Sequence, residues 1–204
     1  MAWFSQITNK CGRILRNYYN KQHLKNHGMS VISSNCTGAV MLHDLNQPFN
    51  SPFVNLYLTP TDFVRYLQHI DKYQFAPLQF IETKCSYPVA KLLDLTIYFV
   101  HYNSQQQAEE KWKQRSKRLD FNNLFVIMSE RDGCTYQDLL NFDALPFTHK
   151  IVFTHQHYPE IQSAFYIQGF EQQNQVGELI YYCGQFGKRY YDQFDYVGWF
   201  NQKT

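Results

Sequence analysis

Residues 124–133 read LFVIMSERDG, an uncharged apolar run followed at once by a charged, glycine-containing one. The first half predicts a β-strand, because it is short, apolar and rich in aromatic and β-branched residues. The second half is typical of a turn. In parallel sheets, ligands bind outside the carboxyl ends of the strands, so candidate functional residues are expected at this turn and at equivalent places elsewhere in the chain.

Outside this stretch, short β-prone runs alternate with helical segments. The predicted strands cover residues 30–33, 53–58, 78–81, 94–101, 123–128, 151–153 and 164–170. The predicted helices cover residues 61–71, 104–118 and 136–142, the last behind a capping-box-like Thr135 and Asp138, and a terminal helix ends near residue 200. This alternation predicts a single three-layer α/β domain with a largely parallel sheet over residues 28–204.

The composition is typical of a soluble globular domain. Of the 204 residues, 44% are hydrophobic and 18% aromatic, whereas glycine and proline number only 9 and 7. Disordered, collagen-like and low-complexity proteins are therefore excluded, and the apolar runs are too short to span a bilayer. The five cysteines lack metal-finger spacing and are expected to be reduced thiols. Because the N-terminus lacks a signal-peptide pattern, a cytoplasmic location is expected.

The N-terminal segment, residues 1–27, is predicted to be a basic amphipathic helix. The first 43 residues carry a net charge of +5 and the rest of the chain −3. This distribution argues against a nucleic-acid-binding surface on the body and places any anionic partner near the N-terminus. The helix is predicted either to pack on the body or to lie, through residues 1–25, on an anionic membrane. Its apolar residues recur at spacings of three and four and are Trp3, Phe4, Ile7, Cys11, Ile14, Leu15, Tyr18 and Tyr19.

The segment after the first strand contains small polar residues that lead into a predicted short helix. Asn35, Cys36 and Thr37 stand at the start of this helix, where backbone N–H groups and small side chains can bind an anionic substrate group. With a single glycine, Gly38, the segment lacks the dinucleotide-binding fingerprint. The alternative is that Asn35 or Thr37 only caps the helix.

Glu130, Arg131 and Asp132 follow the strand quoted above. Two carboxylates two residues apart at the end of a strand can hold a divalent metal, Mg²⁺ or Mn²⁺, on the diphosphate of a nucleotide-sugar. Arg131 can contact a phosphate or carboxylate in a bidentate manner. The alternative is that Asp132 and Gly133 form an ordinary turn and that Arg131 pairs with a neighbouring acid.

His155, which follows the strand predicted over residues 151–153, is the candidate general base or a hydrogen-bonding partner of the substrate. A zinc site shared with His157 is disfavoured, because no clear third and fourth ligands are present. Polar and aromatic residues near the C-terminus can stack on sugar rings, although burial in a core is the commoner use of such side chains. The remaining candidate substrate-binding residues are His101, Arg189, Tyr190 and Asp192.

Several of these segments together resemble a known bacterial family. They include SNCTG at residues 34–38, RDGCT at 131–135, FTH at 153–155 and KRYYDQFDY at 188–196, and the resemblance covers nearly the whole chain. The family is the domain of unknown function 1919, whose members are commonly labelled exopolysaccharide biosynthesis proteins. The resemblance implies a three-layer α/β/α fold with a mixed sheet and a role in making capsule or other surface polysaccharide. Glu130 departs from the family pattern, which has Asp at this position.

The leading hypothesis is a cytoplasmic, glycosyltransferase-like enzyme of surface-polysaccharide assembly that acts on a nucleotide-sugar or a lipid-linked sugar. In this hypothesis Glu130 and Asp132 hold the metal. Arg131 or Arg189 neutralises charge, and His155 is the base for the acceptor hydroxyl. The N-terminal helix would bring the enzyme to the periphery of the membrane.

Two alternatives stay open. One is a non-catalytic module that recognises polysaccharide or another assembly protein through its aromatic surface. The other is a metal-free acyl or other group transferase, or a hydrolase, that uses His155 with Asn35, Cys36 or Asp132. Convergence of the post-strand polar residues in one cleft would favour an enzyme, whereas scattered positions beside an exposed aromatic patch would favour the module.

Overall fold

The fold contains two separate β-sheets with helices around them. It is seen in a computed structural model that describes the backbone of residues 2–202 and the side chains of residues 7–202. The helices are α1 (Ala2–His23), α2 (Thr37–Asp44), α3 (Pro60–Gln68), α4 (Ile70–Tyr73), α5 (Gln105–Ser116), α6 (Tyr136–Asp143) and α7 (Tyr196–Phe200), with 3₁₀ turns at Phe121–Asn123 and Tyr190–Gln193. The strands are β1 (Ser30–Ser33), β2 (Leu78–Ile81), β3 (Val89–Leu92), β4 (Leu95–Tyr98), β5 (Leu124–Ser129), β6 (Lys150–Thr154) and β7 (Ala164–Tyr166).

Four strands form a parallel sheet in the order β1-β5-β6-β7. β5 pairs with β1 on one side and β6 on the other, so that Ile127 lies opposite both Ser33 and Ile151. All six residues of β5 are buried. A strand covered on both faces presents no polar face, and this explains why residues 124–128 are apolar without alternation. The α/β class and the parallel sheet predicted from the sequence are confirmed.

The other three strands form an antiparallel sheet in the order β2-β3-β4. β3 and β4 are joined by a tight turn at which Leu93 has a positive φ of 56°. The parallel and antiparallel strands therefore lie in two sheets and not in one mixed sheet. The sequence does not predict β3, and the strand predicted over residues 94–101 ends at Tyr98.

Residues 53–58 are wrongly predicted to be a strand. Tyr57 makes an isolated bridge to Tyr98, but the segment belongs to neither sheet. Phe53, Leu56 and Leu58 are instead buried in the core, each with at most 2% of its surface exposed. Burial without pairing produces the same apolar composition as a strand, because β-propensity mainly reports how well a side chain packs on a half-buried surface.

Two hydrophobic clusters cover the two faces of the parallel sheet. Val126 and Met128 belong to one cluster together with Trp112 of α5. Phe125 and Ile127 belong to the other, which includes Phe200 of α7 and residues of α2. Since alternate residues of a strand point to opposite faces, the sheet is the middle of three layers.

Two helix starts follow the capping signals in the sequence. Ser104 accepts the backbone N–H of Gln107 at the start of α5. Thr135 and Asp138 form a reciprocal capping box at the start of α6. Each such cap stabilises its helix by about 1 kcal/mol, and both fix the positions at which the preceding loops must end.

The helix α1 packs on the body through its polar side. Arg13 is only 4% exposed, and the Asn17 side-chain amide donates a hydrogen bond to Asp44 at 2.9 Å. The side chains of Trp3 and Phe4, which belong to the predicted apolar face, lie outside the described residues. Within residues 2–202, none of the helices has the length and apolar content needed to cross a membrane.

Candidate functional site

A cleft of about 310 Å³ opens at the carboxyl ends of β1 and β5. This is the position at which ligands bind in open parallel sheets. Its walls come from the segments that follow β1, β4 and β5, from Tyr57, and from a distant stretch around residue 178. The predicted site residues that line it are Asn35, Cys36, Thr37, His101, Arg131 and Asp132.

The first wall is built where β1 ends and α2 begins. The Asn35 side chain accepts the backbone N–H of Thr37 at 3.0 Å, and Ser33 Oγ accepts that of Gly38 at 3.3 Å. These two N–H groups of α2 are therefore already paired, as the capping alternative requires. A Cβ at Gly38 would lie 2.8 Å from Ser33 Cβ, so the close approach of α2 to β1 depends on glycine.

The second wall is the turn that follows β5. Asp132 and Gly133 both have positive φ, at 58° and 83°, which turns the chain sharply away from the sheet. The Arg131 guanidinium lies between two carboxylates, 2.7 Å from Glu178 Oε1 and 3.1 Å from Asp132 Oδ2. Both alternatives stated for this segment, a turn and an arginine paired with a neighbouring acid, are therefore present in the structure.

The third wall lies at the end of β4. His101 is exposed there, and its backbone N–H donates to the carbonyl of Asn55 at 3.3 Å. The ring of Tyr57 stacks on that of Tyr98 with centroids 4.5 Å apart and planes 6° from parallel. Burial raises the pKa of Tyr57 to about 12, so its hydroxyl stays protonated near neutral pH and can donate a hydrogen bond.

The thiol of Cys36 is poorly suited to nucleophilic attack. Burial and the nearby charge of Glu178 raise its pKa above the ordinary value. Since the thiolate is the nucleophile, a raised pKa leaves less of the reactive form at neutral pH. The alternative in which Cys36 acts as a nucleophile is therefore weakened.

The cleft contains both hydrogen-bond donors and acceptors, and its charged residues are of both signs. The charge of Arg131 is offset by Asp132 and Glu178, while Asn35 and Tyr57 contribute neutral polar groups. This mixture suits a polyhydroxylated ligand, because each hydroxyl both donates and accepts. The volume lies near the lower end of the range for small-molecule sites, about 300–1,000 Å³, so a sugar, or part of a larger ligand, would fill it.

Glu130 and His155 form a second cluster, which does not line the cleft. The Glu130 carboxylate accepts the backbone N–H of His155 at 2.9 Å and lies 2.6 Å from His155 Nδ1. The Tyr158 hydroxyl donates to the same carboxylate at 2.6 Å. Burial, together with this hydrogen bond, raises the pKa of Tyr158 to about 12. The ring of His155 is thereby held in one orientation, as is usual for a general base, and its catalytic role stays a prediction.

The metal site at Glu130 and Asp132 also stays a prediction. Asp132 lines the cleft, whereas the Glu130 carboxylate is buried and already hydrogen-bonded. Across the described part of the chain, no three His, Cys, Asp or Glu side chains are placed to hold a metal ion together. These donors therefore do not fit a complete metal site.

Arg189, Tyr190 and Asp192 lie away from the cleft and stabilise the fold. Arg189 Nη1 donates to Asp44 Oδ2 at 2.9 Å, and Asp192 Oδ2 accepts from Arg13 Nη1 at 2.6 Å. The ring of Tyr190 packs on that of Phe170, with centroids 4.4 Å apart. Arg189 and Asp192 thus belong to the charged cluster that includes Arg13 of α1, and Tyr190 packs beside Phe170. The role of all three in binding a substrate stays untested.

Sequence reasoning missed two polar residues of the cleft, Tyr57 and Glu178, and two apolar ones, Val100 and Ile180. Tyr57 falls in the segment predicted to be a strand, where an aromatic residue gives no functional signal. Glu178 lies in an irregular segment with no motif, and only its ion pair with Arg131 identifies it as a residue of the site. No sequence signal identifies Glu178, because its importance depends on a partner 47 positions away that the fold brings within 2.7 Å.

Comparison with known proteins agrees with the resemblance in the sequence. The profile of a family described as Domain of unknown function (DUF1919) matches residues 7–201, which include both sheets and every residue of the cleft. An uncharacterized protein of Haemophilus influenzae is 58% identical over 193 residues, covering 95% of this chain and 94% of that protein. The chain therefore belongs to the DUF1919 family.

Proposed function

We propose that the protein is a glycosyltransferase-like enzyme of cell-surface polysaccharide assembly whose cleft binds a sugar or nucleotide-sugar. One observation supports this proposal above all: polar residues from five separate parts of the chain converge in a single cleft at the carboxyl ends of β1 and β5. Scattered positions would have favoured a non-catalytic module. The polysaccharide part of the proposal comes from the label commonly carried by family members.

The lining of the cleft supports a sugar as the ligand. The Tyr57 ring is held rigid by stacking on Tyr98, and a rigid aromatic ring can pack on the apolar face of a pyranose. Asn35 on the first wall and His101 on the third can hydrogen-bond to the hydroxyls around the ring. A ligand with hydroxyls on its rim and C–H groups on its face fits both features.

Two charged residues have distinct proposed roles in this cleft. Arg131 is held by Glu178 and Asp132, and a substrate phosphate would replace one of these carboxylates on the guanidinium. Asp132 would then accept the proton of the acceptor hydroxyl as that oxygen attacks the anomeric carbon. The bond from that carbon to the phosphate oxygen breaks at the same time, and the phosphate leaves with its negative charge beside Arg131. His155 can act as the base only if the acceptor molecule extends from the cleft to the end of β6.

The proposal is tested by measuring ligand binding to the full chain. Saturation-transfer NMR and calorimetry with a panel of nucleotide-sugars and free monosaccharides, with and without Mn²⁺, should reveal at least one ligand. Arg131→Gln should weaken the binding of a phosphate-bearing ligand about tenfold or more, because a hydrogen bond to a charged group contributes roughly 1.5–3 kcal/mol. Asp132→Asn should leave that binding in place and slow sugar transfer in a turnover assay, because an amide cannot accept the proton of the acceptor hydroxyl.

Exposed residues on other elements provide matched controls. Arg118→Gln and Asp71→Asn make the same chemical changes at exposed positions outside the cleft and should leave binding unchanged. Failure of every nucleotide-sugar and monosaccharide to bind, with or without Mn²⁺, would remove the proposal. Binding that survives Arg131→Gln would place the ligand elsewhere and favour a carbohydrate-binding module.

A further inference from the structure

The helix α1 presents its apolar side to the outside of the molecule. The side chains of this stripe are Ile7, Ile14, Leu15, Tyr18 and Tyr19, which are 40%, 68%, 70%, 65% and 61% exposed. Cys11, one turn before Ile14 and Leu15, is exposed as well. An amphipathic helix that folds only against its own body buries this side, so the opposite orientation indicates that something else covers it.

The outward orientation is held by specific contacts on the other side of the helix. Arg13 makes ion pairs with Asp44 and Asp192, both at 2.6 Å, and Asn20 donates to the Tyr196 hydroxyl at 2.7 Å. These partners bind the polar side of α1 to the body. Rotating the helix to bury its apolar stripe would leave these buried charges unpaired.

Lysines border the apolar stripe. Lys10 and Lys21 are exposed and lie four residues before and seven residues after Ile14, so they share its side of the helix. The first acidic residue of the chain is Asp44, which is 5% exposed and paired with Arg13. The outer side of α1 therefore carries apolar groups and positive charge without a carboxylate.

A neighbouring loop adds a further apolar group. A Cβ at Gly12 would lie 2.3 Å from the carbonyl carbon of Phe186, so the loop backbone touches α1 directly. The Phe186 side chain is 65% exposed. The exposed apolar surface thus extends from α1 onto the loop around residue 186.

We propose that α1 and Phe186 form a membrane-contact surface that binds the face of an anionic lipid bilayer. The helix lies in the plane of the interface, with Ile14, Leu15 and Tyr18 among the upper acyl chains and the lysines at the lipid phosphates. The polar side of the helix stays bound to the body. This contact holds the protein at the membrane surface and does not require a spanning segment.

The charge of this surface favours an anionic bilayer over a second copy of the chain. In a two-fold dimer through α1, Lys10 and Lys21 of one copy would face the same residues of the other, or lie close to them. No acidic residue precedes Asp44, so the helix has no exposed carboxylate to pair with them. An anionic lipid surface supplies the opposite charge along the whole length of the helix.

The test is co-sedimentation of the full chain with phosphatidylcholine vesicles that do or do not contain phosphatidylserine. Binding should require phosphatidylserine. The partition coefficient should fall about tenfold or more in Ile14→Gln/Leu15→Gln and in Lys10→Glu/Lys21→Glu. Phe75→Gln and Lys111→Glu, which change an exposed apolar residue and an exposed lysine on other elements, should bind like the unmodified chain.

A second measurement leaves the apolar stripe unchanged. An environment-sensitive fluorophore on Cys11, in a Cys85→Ser background that removes the other exposed thiol, should shift its emission to the blue with anionic vesicles only. The proposal is overturned if sedimentation does not depend on phosphatidylserine or is unaffected by the α1 variants. A concentration-dependent dimer that is lost in Ile14→Gln/Leu15→Gln, with no vesicle binding, would assign the surface to a second copy.

Discussion

Three consecutive residues at the end of β5 have three different surroundings. Glu130 is buried against His155, Arg131 lies between two carboxylates, and Asp132 borders the cleft. Residues two apart in a strand share a face, which made Glu130 and Asp132 a plausible metal-binding pair in the sequence. The strand β5 ends at Ser129 and the chain turns at Asp132, where φ is 58°, so the two carboxylates lie in different environments.

Cys36 is expected to react slowly with alkylating reagents although it lines the cleft. Burial and Glu178 raise the pKa of its thiol, so little thiolate is present near neutral pH. Iodoacetamide labelling followed by mass spectrometry should modify the exposed Cys11 and Cys85 first and Cys36 severalfold more slowly. Glu178→Gln should accelerate labelling of Cys36, whereas Glu110→Gln, an exposed substitution on α5, should not. Labelling of Cys36 before Cys11 would contradict this prediction and restore the nucleophile alternative.

At the scale of elements, the attachment of α1 depends on close backbone contact with the loop around residue 186. Gly12 and Gly187 lie at this contact, and a Cβ at Gly187 would be 2.3 Å from the backbone nitrogen of Arg13. Gly187 also has a φ of 71°, which disfavours any residue with a side chain. Helix and loop are therefore positioned as one unit.

Gly187→Ala should destabilise the protein by about 2–5 kcal/mol. A left-handed backbone costs a non-glycine residue about 1–2 kcal/mol, and the clash with α1 adds about 1–3 kcal/mol. Urea denaturation measures the loss in the free energy of unfolding, and hydrogen exchange should show faster exchange of the α1 amides.

Gly133→Ala is the matched control for this substitution. Its φ is 83°, but a Cβ at Gly133 would have no neighbour within 4 Å. It should therefore show only the backbone cost, with α1 unaffected. Equal losses in the two variants would mean that the contact between Gly187 and α1 contributes nothing.

At the scale of the whole molecule, a buried ion cluster joins distant parts of the chain. Asp44 Oδ2 lies 2.6 Å from Arg13 Nη2 and 2.9 Å from Arg189 Nη1, and Tyr191 donates its hydroxyl to the same carboxylate. The cluster connects α1, the end of α2 and the C-terminal segment. The small net charge of +2 is therefore the sum of a basic N-terminal helix and a more acidic body, and acidic residues of the body bind the helix.

This cluster should make the attachment of α1 sensitive to acid. Burial alone would raise the pKa of Asp44, but Tyr191, Arg13 and Arg189 outweigh it, so the pKa lies below its ordinary value. A carboxyl with a lowered folded pKa stabilises the protein at pH values above its unfolded pKa, about 3.9. That contribution is lost as the pH falls through the lowered value. Hydrogen exchange should show the α1 amides losing protection below about pH 4.

Asp44→Asn should remove this acid sensitivity. At neutral pH the substitution leaves buried arginines without their partner and should cost about 3–5 kcal/mol. The difference in free energy of unfolding from the unmodified protein should shrink as the pH falls below about 4. Asp71→Asn, on the exposed surface of α4, should change the stability little at any pH. A constant difference across the pH range would show that Asp44 does not carry the effect.

The sequence by itself determined the features that depend on neighbouring residues. The apolar run of β5, the Ser104 and Thr135 helix starts and the amphipathic pattern of α1 are local, because backbone hydrogen bonds and side-chain periodicity act over a few positions. Six polar residues that follow predicted strands also line one cleft, five of them because parallel strands end at the same edge of a sheet.

Only the tertiary structure decided which distant segments meet. The division of the strands between two sheets, the ion pair of Arg131 with Glu178 and the side of α1 that faces the body all depend on partners far away in the chain. A local pattern shows that a helix has a polar and an apolar side. The outward orientation of the apolar side of α1 follows from the placement of Asp44 and Asp192 opposite Arg13, because buried charges must be paired.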